Sequence, residues 1–307
     1  MAPVHDPVMV AEVLGHLAPS RGGVFVDCTV GLGGHTKALV EAGASRVIGL
    51  DRDPAALAHA REALKDHGDR VELVHSDYRG LAGVLDARGI AAVDGVLADL
   101  GVSSMQLDEP GRGFSFRRDD PLDMRMDTSS GDTAAEALAS VDEQTLANVI
   151  YEFGEERHAR RVARAIIAAR NEAPIDTTGR LADVVRRAVP RKGYMRIDPA
   201  TRTFQGIRIW INRELDGLDG FLGEAARRLG PGGRLTVISF HSLEDRIVKH
   251  TLRALQSEGV IAIRTKRPVV PAETEIERNP RARSAKLRAA ERTAAEAARH
   301  GAYGVIA

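Results

Sequence analysis

The chain has 307 residues, and its 43 basic side chains (Lys plus Arg) balance its 43 acidic ones (Asp plus Glu). This length exceeds that of a typical single domain, so we expect one enlarged domain or a core that carries an inserted unit. Hydrophobic residues make up 43% and charged residues 28% of the chain, which excludes a disordered or fibrous protein. The single cysteine, Cys28, excludes an intramolecular disulfide and a cysteine-based metal site.

Neither a signal peptide nor a membrane span is predicted. The first ten residues, MAPVHDPVMV, lack a basic stretch followed by an apolar core, and no later segment has the apolar length to cross a bilayer. We therefore expect a cytoplasmic protein that does not bind membranes. Its oligomeric state is left open, a homodimer included.

Two segments are rich in basic residues although the chain as a whole is neutral. Residues 186–202 carry six basic side chains against Asp198 alone, and residues 278–292 are similarly biased. Because overall charge cannot attract a polyanion here, such local clusters would have to do so. A solvated surface is the competing interpretation of each cluster.

Four short β-rich runs alternate with helical stretches in the first third of the chain. They are Val24–Asp27, Arg46–Asp51, Val71–His75 and Val93–Asp99. Their continuous apolar character suits strands that are buried on both faces of a parallel sheet. The sequence thus predicts an α/β fold of the doubly wound, Rossmann-like class.

The strand rhythm stops after Gly101 and returns late in the chain. Residues 104–203 predict an inserted helical unit between core segments 1–103 and 204–307, with its helix at 155–170 directing Arg157, Arg160, Arg161 and Arg164 outward. Apolar residues at steps of three or four predict one long helix at 205–229 that packs over its full length against the sheet. The remaining predicted elements are a fifth strand at 234–240, a helix at 242–255 and an edge pair of strands at 260–265 and 285–290.

A glycine-rich turn, GLGGH at 31–35, directly follows the first predicted strand and opens a helix. Glycines there permit positive φ and let a ligand approach the backbone closely. The dinucleotide pattern G-x-G-x-x-G fails because its last position is Thr36, and no phosphate-loop motif is present. A tight connection without a ligand is the competing interpretation.

Acidic residues lie at the end of each of the four early strands or just after it. They are Asp27, Asp51, Asp77 and Asp99. Asp51 is placed to accept hydrogen bonds from both ribose hydroxyls of an adenosine, and Asp27 to attract the amino group of a methionine moiety. Each acid alone could equally cap a helix. Four at one predicted sheet edge favour a nucleoside cofactor.

The chain resembles the ribosomal RNA small-subunit methyltransferase H family, also called the MraW family, over nearly its whole length. The segments that carry the resemblance are HDPV at 5–8, GLGGH at 31–35, LDRDP at 50–54, DLGVSS at 99–104, QLD at 106–108, RGFSF at 112–116, PLDMRMD at 121–127, TRTFQ at 201–205, ISFHSLEDR at 238–246 and NPRARS at 279–284. The resemblance implies a class I methyltransferase core with a helical substrate domain. It also implies transfer of a methyl group from S-adenosylmethionine to the exocyclic N4 amine of a cytidine in the decoding region of 16S rRNA, within the small ribosomal subunit.

The resemblance also implies a set of cofactor contacts. Beside Asp27 and Gly31, which the turn itself suggests, they are Gly33, Gly34, His35, Asp51, Tyr78, Asp99 and Gln106. Many enzymes that methylate exocyclic amines carry a [DNS]-P-P-[YFW] motif after the fourth strand, whereas this chain has DLGV at 99–102. The choice of acceptor therefore depends on the resemblance.

Three residues are candidates for catalysis. Asp99 would orient the amine and stabilise its developing positive charge, although it could instead bind only the cofactor. Ser239 and His241 follow the fifth strand, where they could line the base pocket or accept the released proton. A sulfonium donor needs no metal, and we expect no metal site.

Substrate contacts are expected from aromatic and basic residues, because a base must leave its stack to meet the methyl group and is commonly held against an aromatic face. The candidates are Phe114, Phe116, Arg191, Lys192, Tyr194, Arg196, Arg202, Phe204, Arg281 and Arg283. Two alternatives stay open: the same cofactor chemistry on DNA, another RNA or a small molecule, and a ribosome assembly factor that uses the cofactor only structurally. A nicotinamide-dependent dehydrogenase is disfavoured by the failed glycine pattern.

Overall fold

The computed structural model describes residues 7–190 and 197–294 of the chain. The chain forms two units, one from Met1–Gly101 with Gly217–Ala307 and the other from Val102–Asp216. The second unit interrupts the first, which agrees in kind with the predicted insertion. Its bounds differ, since it begins at 102 rather than 104 and ends at 216 rather than 203.

The described part of the first unit contains seven strands and the helices that connect them. In chain order they are α1 (Val10–Leu17), β1 (Val24–Asp27), α2 (Gly34–Glu41), β2 (Arg46–Asp51), α3 (Pro54–Ala63), β3 (Val71–His75), α4 (Leu81–Asp86) and β4 (Val93–Asp99), then, after the insertion, elements from the C-terminal part of the chain. Those are α11 (Leu218–Arg227), β5 (Leu229–Ser239), α12 (Ser242–Ser257), β6 (Ile261–Ile263), α13 (Glu273–Arg278) and β7 (Lys286–Arg292), with the labels α5 to α10 kept for the second unit.

The seven strands form one sheet in the order β3-β2-β1-β4-β5-β7-β6. β1 to β5 are parallel, and β7 pairs antiparallel with both β5 and β6. Alternate strand residues enter different hydrophobic clusters, Val26 and Val96 one cluster, Phe25 and Leu97 another. The sheet is thus covered on both faces, and the predicted doubly wound α/β class is confirmed.

The first four strands were predicted with the bounds that the structure shows, and the edge pair is also confirmed as β6 and β7. The fifth strand is longer than predicted. It starts at Leu229, and the segment GPGG at 230–233 lies within it beside an irregularity in the β4–β5 register between Val93 and Gly95.

The second unit is helical. Its helices are α5 (Ser104–Asp108), α6 (Ala134–Ser140), α7 (Glu143–Glu152), α8 (Ala159–Glu172), α9 (Thr178–Ala188) and α10 (Ala200–Asn212). They enclose a separate core in which Leu146, Ile166 and Leu181 are fully buried. Within the described part of 102–216, β structure is limited to an isolated bridge between Pro121 and Thr177.

The prediction of one helix at 205–229 is wrong. The helix is interrupted between α10 and α11, where Arg213 (φ 49°) and Gly217 (φ 67°) adopt left-handed conformations. α10 packs inside the second unit through Phe204 and Ile207, and only α11 packs against the sheet. The apolar spacing continues across the break because both helices bury one face, so periodicity alone could not locate it. Among the described residues no helix is long and apolar enough to cross a membrane.

Candidate active site

Three carboxylates lie at the carboxyl-terminal edge of the sheet. Asp27, Asp51 and Asp99 are the last residues of β1, β2 and β4, and β1 pairs with both neighbouring strands. In doubly wound sheets this edge, where the strand order reverses, is where ligands bind. Here the order reverses between β1 and β4, so the three side chains border the crevice.

The glycine-rich turn between β1 and α2 is tied to this edge by backbone hydrogen bonds. Val30 N–H donates to Leu50 O (3.0 Å) and Gly33 N–H to Val30 O (2.8 Å). Gly31 and Gly33 have φ of 54° and 88°, which other residues rarely adopt. The glycines therefore allow the turn to close tightly over the strand end before Gly34 begins α2.

Asp51 fastens the turn to β2. Its Oδ2 accepts from Gly31 N–H (2.7 Å) and its Oδ1 from Asp53 N–H (2.8 Å). Burial raises the pKa of Asp51 from 3.8 to about 6, although the two backbone hydrogen bonds act to lower it. Each carboxylate oxygen retains a further lone pair. Asp51 is therefore able to accept hydroxyl groups of a ligand while it holds the turn.

Asp27 is fully buried beneath the turn. It accepts from Thr36 Oγ1 (2.7 Å) and Thr29 N–H (3.2 Å). Burial raises the pKa of Asp27 above its ordinary value, while the neighbouring His35 acts to lower it. Asp27 thus joins β1 to α2 and places a carboxyl group under the crevice.

His35 and Asp99 form a nearly buried pair. His35 Nε2 lies 3.5 Å from Asp99 Oδ2, with side-chain exposures of 5% and 21%. Burial acts to lower the pKa of His35, but Asp99 and Asp27 outweigh it, and the pKa of His35 is raised. Among the described residues neither His35 nitrogen nor Asp99 Oδ1 makes a hydrogen bond. Asp99 Oδ1 is therefore a buried acceptor with no hydrogen-bond partner among the described residues, and Thr29 Oγ1 fixes its strand end by accepting from Asp99 N–H (2.6 Å).

Asp77 and Tyr78 follow β3. Asp77 accepts hydrogen bonds from Arg79 Nε (2.7 Å) and Arg52 Nη1 (3.2 Å). Burial acts to raise the pKa of Asp77, but Arg79 outweighs burial, and the pKa is lowered from its ordinary value. Tyr78 is buried against Phe221, with ring centroids 4.7 Å apart. Asp77 is thus part of an ion-pair network, whereas Tyr78 forms an aromatic wall in the core of the first unit.

Gln106 belongs to the second unit. It lies on the short helix α5, where its side chain accepts from Ser103 N–H (3.0 Å) and its own N–H donates to Ser103 Oγ (3.2 Å). This reciprocal capping box fixes the helix start. Its cofactor role stays a prediction.

Ser239 and His241 are held in structural contacts at the end of β5. Ser239 is buried, and its Oγ donates to Lys286 O (3.4 Å). His241 is the N-cap of α12, where its Nδ1 accepts from Glu244 N–H (3.4 Å) and its Nε2 lies 3.2 Å from Glu244 Oε1. These contacts favour positioning roles over a free catalytic base.

Glu244 is a buried acid at the start of α12 that the sequence interpretation did not single out. It is 2% exposed, and its Oε2 accepts from Phe240 N–H (2.9 Å) and His241 N–H (3.3 Å). An acidic residue three positions after a capping residue is a recognisable helix-start pattern. That spacing, from His241 to Glu244, was a signal that could have found it.

Two of the three aromatic candidates that the structure describes are buried within the second unit. Phe114 (7% exposed) and Phe204 (5%) are buried, and Phe116 packs edge-on against Phe204 with centroids 4.7 Å apart. Burial favours packing roles for Phe114 and Phe204, and their contact with the substrate stays a prediction. Arg202 is exposed and donates to Glu155 O (3.3 Å).

The structure describes some of the basic candidates and leaves others outside the described residues. Arg281 and Arg283 lie in a 3₁₀ turn, Pro280–Ser284, of the first unit, with Arg283 exposed. Elsewhere in that cluster Arg288 is paired with Asp245 (2.7 Å). Arg191, Lys192, Tyr194 and Arg196 lie outside the described residues.

The model of the MraW methylase family matches residues 2–293. The ribosomal RNA small subunit methyltransferase H of Rhodopseudomonas palustris (strain TIE-1) is 52% identical over 307 residues, covering 95% of this chain and 92% of that protein. The protein of the same name from Sorangium cellulosum (strain So ce56) is 53% identical over 288 residues, covering 94% and 90%.

A solved structure of a putative rRNA-methylase from Clostridium thermocellum shares 14% identity, with a TM-score of 0.44, and covers 94% of this chain and 100% of that one. The family match extends over both units, and the relatives are more than half identical over nearly their full length. The chain therefore belongs to the MraW methylase family and is a methyltransferase.

Proposed function

We propose that this protein transfers a methyl group from S-adenosylmethionine to the exocyclic N4 amine of a cytidine in the decoding region of 16S rRNA. The observation that carries the proposal is Asp99 Oδ1, a buried acceptor at the carboxyl end of β4 with no hydrogen bond among the described residues. It stands beside the turn whose residues fit a nucleoside. The names of the relatives supply the substrate class.

The residues at the sheet edge fit this cofactor. Asp51 has lone pairs for the two ribose hydroxyls, the positive-φ glycines let a ligand approach the backbone, and Asp27 places negative charge where an ammonium would bind. Gly33, Gly34, His35 and Tyr78 would complete the contacts in the first unit. When bound, S-adenosylmethionine supplies a methyl group already activated by its sulfonium charge.

The protein's main task is then to align a weak nucleophile. The lone pair of the cytosine amine is delocalised into the ring, and an acceptor bonded to one amine hydrogen favours the pyramidal form that attacks. Asp99 Oδ1 would accept that hydrogen while Oδ2 stays beside His35. Holding the amine in line with the methyl group lowers the barrier by fixing its orientation.

After transfer the amine carries positive charge, which the Asp99 carboxylate stabilises, and the extra proton leaves to solvent or to a nearby group. Ser239 and His241 would help to shape this side of the site through their contacts with Lys286 and Glu244. We place the reaction in the cytoplasm, on RNA of the small ribosomal subunit.

Nucleoside mass spectrometry of 16S rRNA tests the proposal. We expect one N4-methylated cytidine in the decoding region to disappear when the gene is deleted and to return with the wild-type gene but not with Asp99→Asn. An unchanged rRNA in the deletion strain would refute the proposed substrate. Incorporation of labelled methyl groups into DNA or a small molecule would support the alternative acceptor.

A further inference from the structure

Four arginines lie together at the start of α8 and point to solvent. Arg157 lies in the turn before the helix, Arg160 and Arg161 in its first turn, and Arg164 one turn later, and all four are exposed. Their spacing of three or four residues puts them on one side of the helix. We call this surface the arginine face.

Packing fixes the orientation of the arginine face. Val162, Ala163 and Ile166, on the opposite side of α8, are fully buried in the core of the second unit. Rotating the helix to hide the arginines would expose these apolar groups to water, which is unfavourable. The guanidinium groups therefore stay in solvent.

The side chains of the arginine face have almost no ion-pair partners among the described residues. Among the described residues, the side chains of Arg157, Arg160 and Arg161 take part in no ion pair or hydrogen bond. The Arg164 side chain pairs only with Glu143, at 3.4 Å, and the two side chains are 76% and 44% exposed. Such an exposed pair contributes little and gives way readily to a stronger anion.

Other arginines in the basic segments are neutralised by the fold itself. Arg186 bonds Asp198 (2.9 Å) and Asp183 (3.2 Å), and Arg288 bonds Asp245 (2.7 Å). Their charge is already matched by a carboxylate. Among the described residues of the second unit, the arginine face therefore groups several guanidinium charges that no carboxylate matches, whereas the charge of Arg186 is matched.

The helix start makes the arrangement unfavourable for the isolated protein. The first turn of α8 has no acidic residue, and its two arginines lie at the positive end of the helix dipole. An anion bound there would relieve both the dipole and the mutual repulsion of the guanidinium groups.

An exposed aromatic ring lies close by in the chain. Tyr151, in the last turn of α7, is 65% exposed, the highest value among the large hydrophobic side chains described. It precedes Arg157 by six residues. Exposed aromatic rings next to basic side chains are the usual means of binding single-stranded nucleic acid, through base stacking and phosphate contacts.

We propose that the arginine face and Tyr151 form a binding surface for a single-stranded segment of the RNA substrate. The arginines contact phosphates, and the tyrosine ring stacks on a base. This inference rests on the proposed function, because it takes RNA as the substrate. It assigns RNA affinity to a surface that the basic segments at 186–202 and 278–292 do not include.

The test compares two triple variants that lose the same charge. The first is Arg157→Gln with Arg160→Gln and Arg161→Gln; the control is Arg61→Gln with Arg227→Gln and Arg253→Gln, at exposed helix positions of the first unit. Affinity for a fluorescent single-stranded oligoribonucleotide and for unmodified small subunits from a deletion strain is measured against salt concentration. Cofactor binding and thermal unfolding check that each variant is folded.

We expect the arginine-face variant to bind RNA about 10- to 100-fold more weakly at 0.1 M salt. The slope of log K against log salt should fall by about 2, since single strands release about 0.7 counterion per phosphate contact. Tyr151→Ala should lower affinity at least about fivefold without changing the slope. The control should bind as the wild type does.

An unchanged slope in the arginine-face variant, or an equal loss in the control, would overturn the inference. The inference would also be overturned if the arginine-face variant kept its affinity for RNA but lost binding to phosphatidylglycerol vesicles. That result would assign the surface to a membrane. If the wild-type protein neither binds S-adenosylmethionine nor methylates the subunits, the proposed function fails. If it does both and the arginine-face variant binds RNA normally, only this inference fails.

Discussion

The carboxylate cluster at the sheet edge and the arginine face use charge in opposite ways. At the sheet edge, Asp27 is fully buried and His35 is 5% exposed. Asp27 accepts hydrogen bonds, whereas both His35 nitrogens and Asp99 Oδ1 make none among the described residues. On α8, exposed guanidinium groups stand almost unpaired in water. Buried charge responds to protonation and hardly to salt, whereas exposed charge responds to salt and hardly to pH.

This difference separates two tasks that one enzyme must perform on a large substrate. Geometry at the methyl group needs a few fixed groups whose protonation matters. Affinity for a long polyanion needs many weak contacts in solvent. Variants of the carboxylate cluster should therefore be sensitive to pH, and variants of the arginine face to salt.

Asp99→Asn should lower the rate of methyl transfer by about 10²–10³, because the amide keeps the size of the carboxylate but loses the charge that stabilises the developing cation. Single-turnover assays at saturating cofactor and RNA isolate this step. The loss should be the same at low and high salt. A normal rate would leave Asp99 as a cofactor ligand only.

Asp51→Ala should weaken binding of S-adenosylmethionine by about 1–3 kcal/mol, the loss expected when buried hydroxyls lack their acceptor. Calorimetry on the folded variant measures it. Asp77→Ala is the matched control, since that carboxylate is already bonded by Arg79 and Arg52. Equal losses in the two variants would remove Asp51 from the ribose site.

Cofactor affinity should fall in acid because Asp51 has a pKa of about 6. The ionised carboxylate accepts hydroxyl hydrogens, so affinity is full above that pH and declines up to about tenfold per unit below it. Titrations from pH 5 to 8 check this. In Asp51→Asn the component due to Asp51 should vanish; a wild-type profile that is flat throughout would contradict the assignment.

His241→Ala should lower the free energy of unfolding by about 0.5–2 kcal/mol, the usual effect of losing a helix N-cap, while the single-turnover rate changes little. His241→Asn should restore stability, because asparagine caps helices well. Denaturant unfolding and rate measurements on both variants decide the matter. A hundredfold loss of rate in both would instead make His241 a catalytic base.

Glu143→Gln should change the free energy of unfolding by less than about 0.5 kcal/mol, because its pair with Arg164 is exposed. It should slightly raise RNA affinity by releasing that guanidinium, which distinguishes the arginine face from a merely solvated surface. Denaturation and salt-dependent RNA binding measure the two effects. A large destabilisation would show that the pair supports the fold.

Much of the first unit could be predicted from the sequence, since strands buried on both faces form continuous apolar runs that end in acids, as Val93–Asp99 does. The end of the insertion could not, because the spacing of apolar residues persists through Arg213 and Gly217, where the backbone turns. A left-handed residue leaves no trace in hydrophobic periodicity.

The partners of charged side chains were the least predictable feature. The pairing of His35 with Asp99 joins α2 to the end of β4, and the pairing of Arg288 with Asp245 joins β7 to α12. Outward direction of the α8 arginines followed from helical spacing alone. Their lack of partners depends on which distant carboxylates approach them, and only the folded chain decides that.

The interrupted order of the chain also affects how the protein forms during synthesis. β4 pairs with β5 across the whole of Val102–Asp216, so the central sheet stays incomplete until residues near 239 have left the ribosome. The second unit is contiguous and holds its own core, with Asn212 bonded to Met124 and Met126. We therefore expect it to fold first, while β1 to β4 wait with an unpaired edge, which makes this nascent stage the one most exposed to aggregation and chaperone binding.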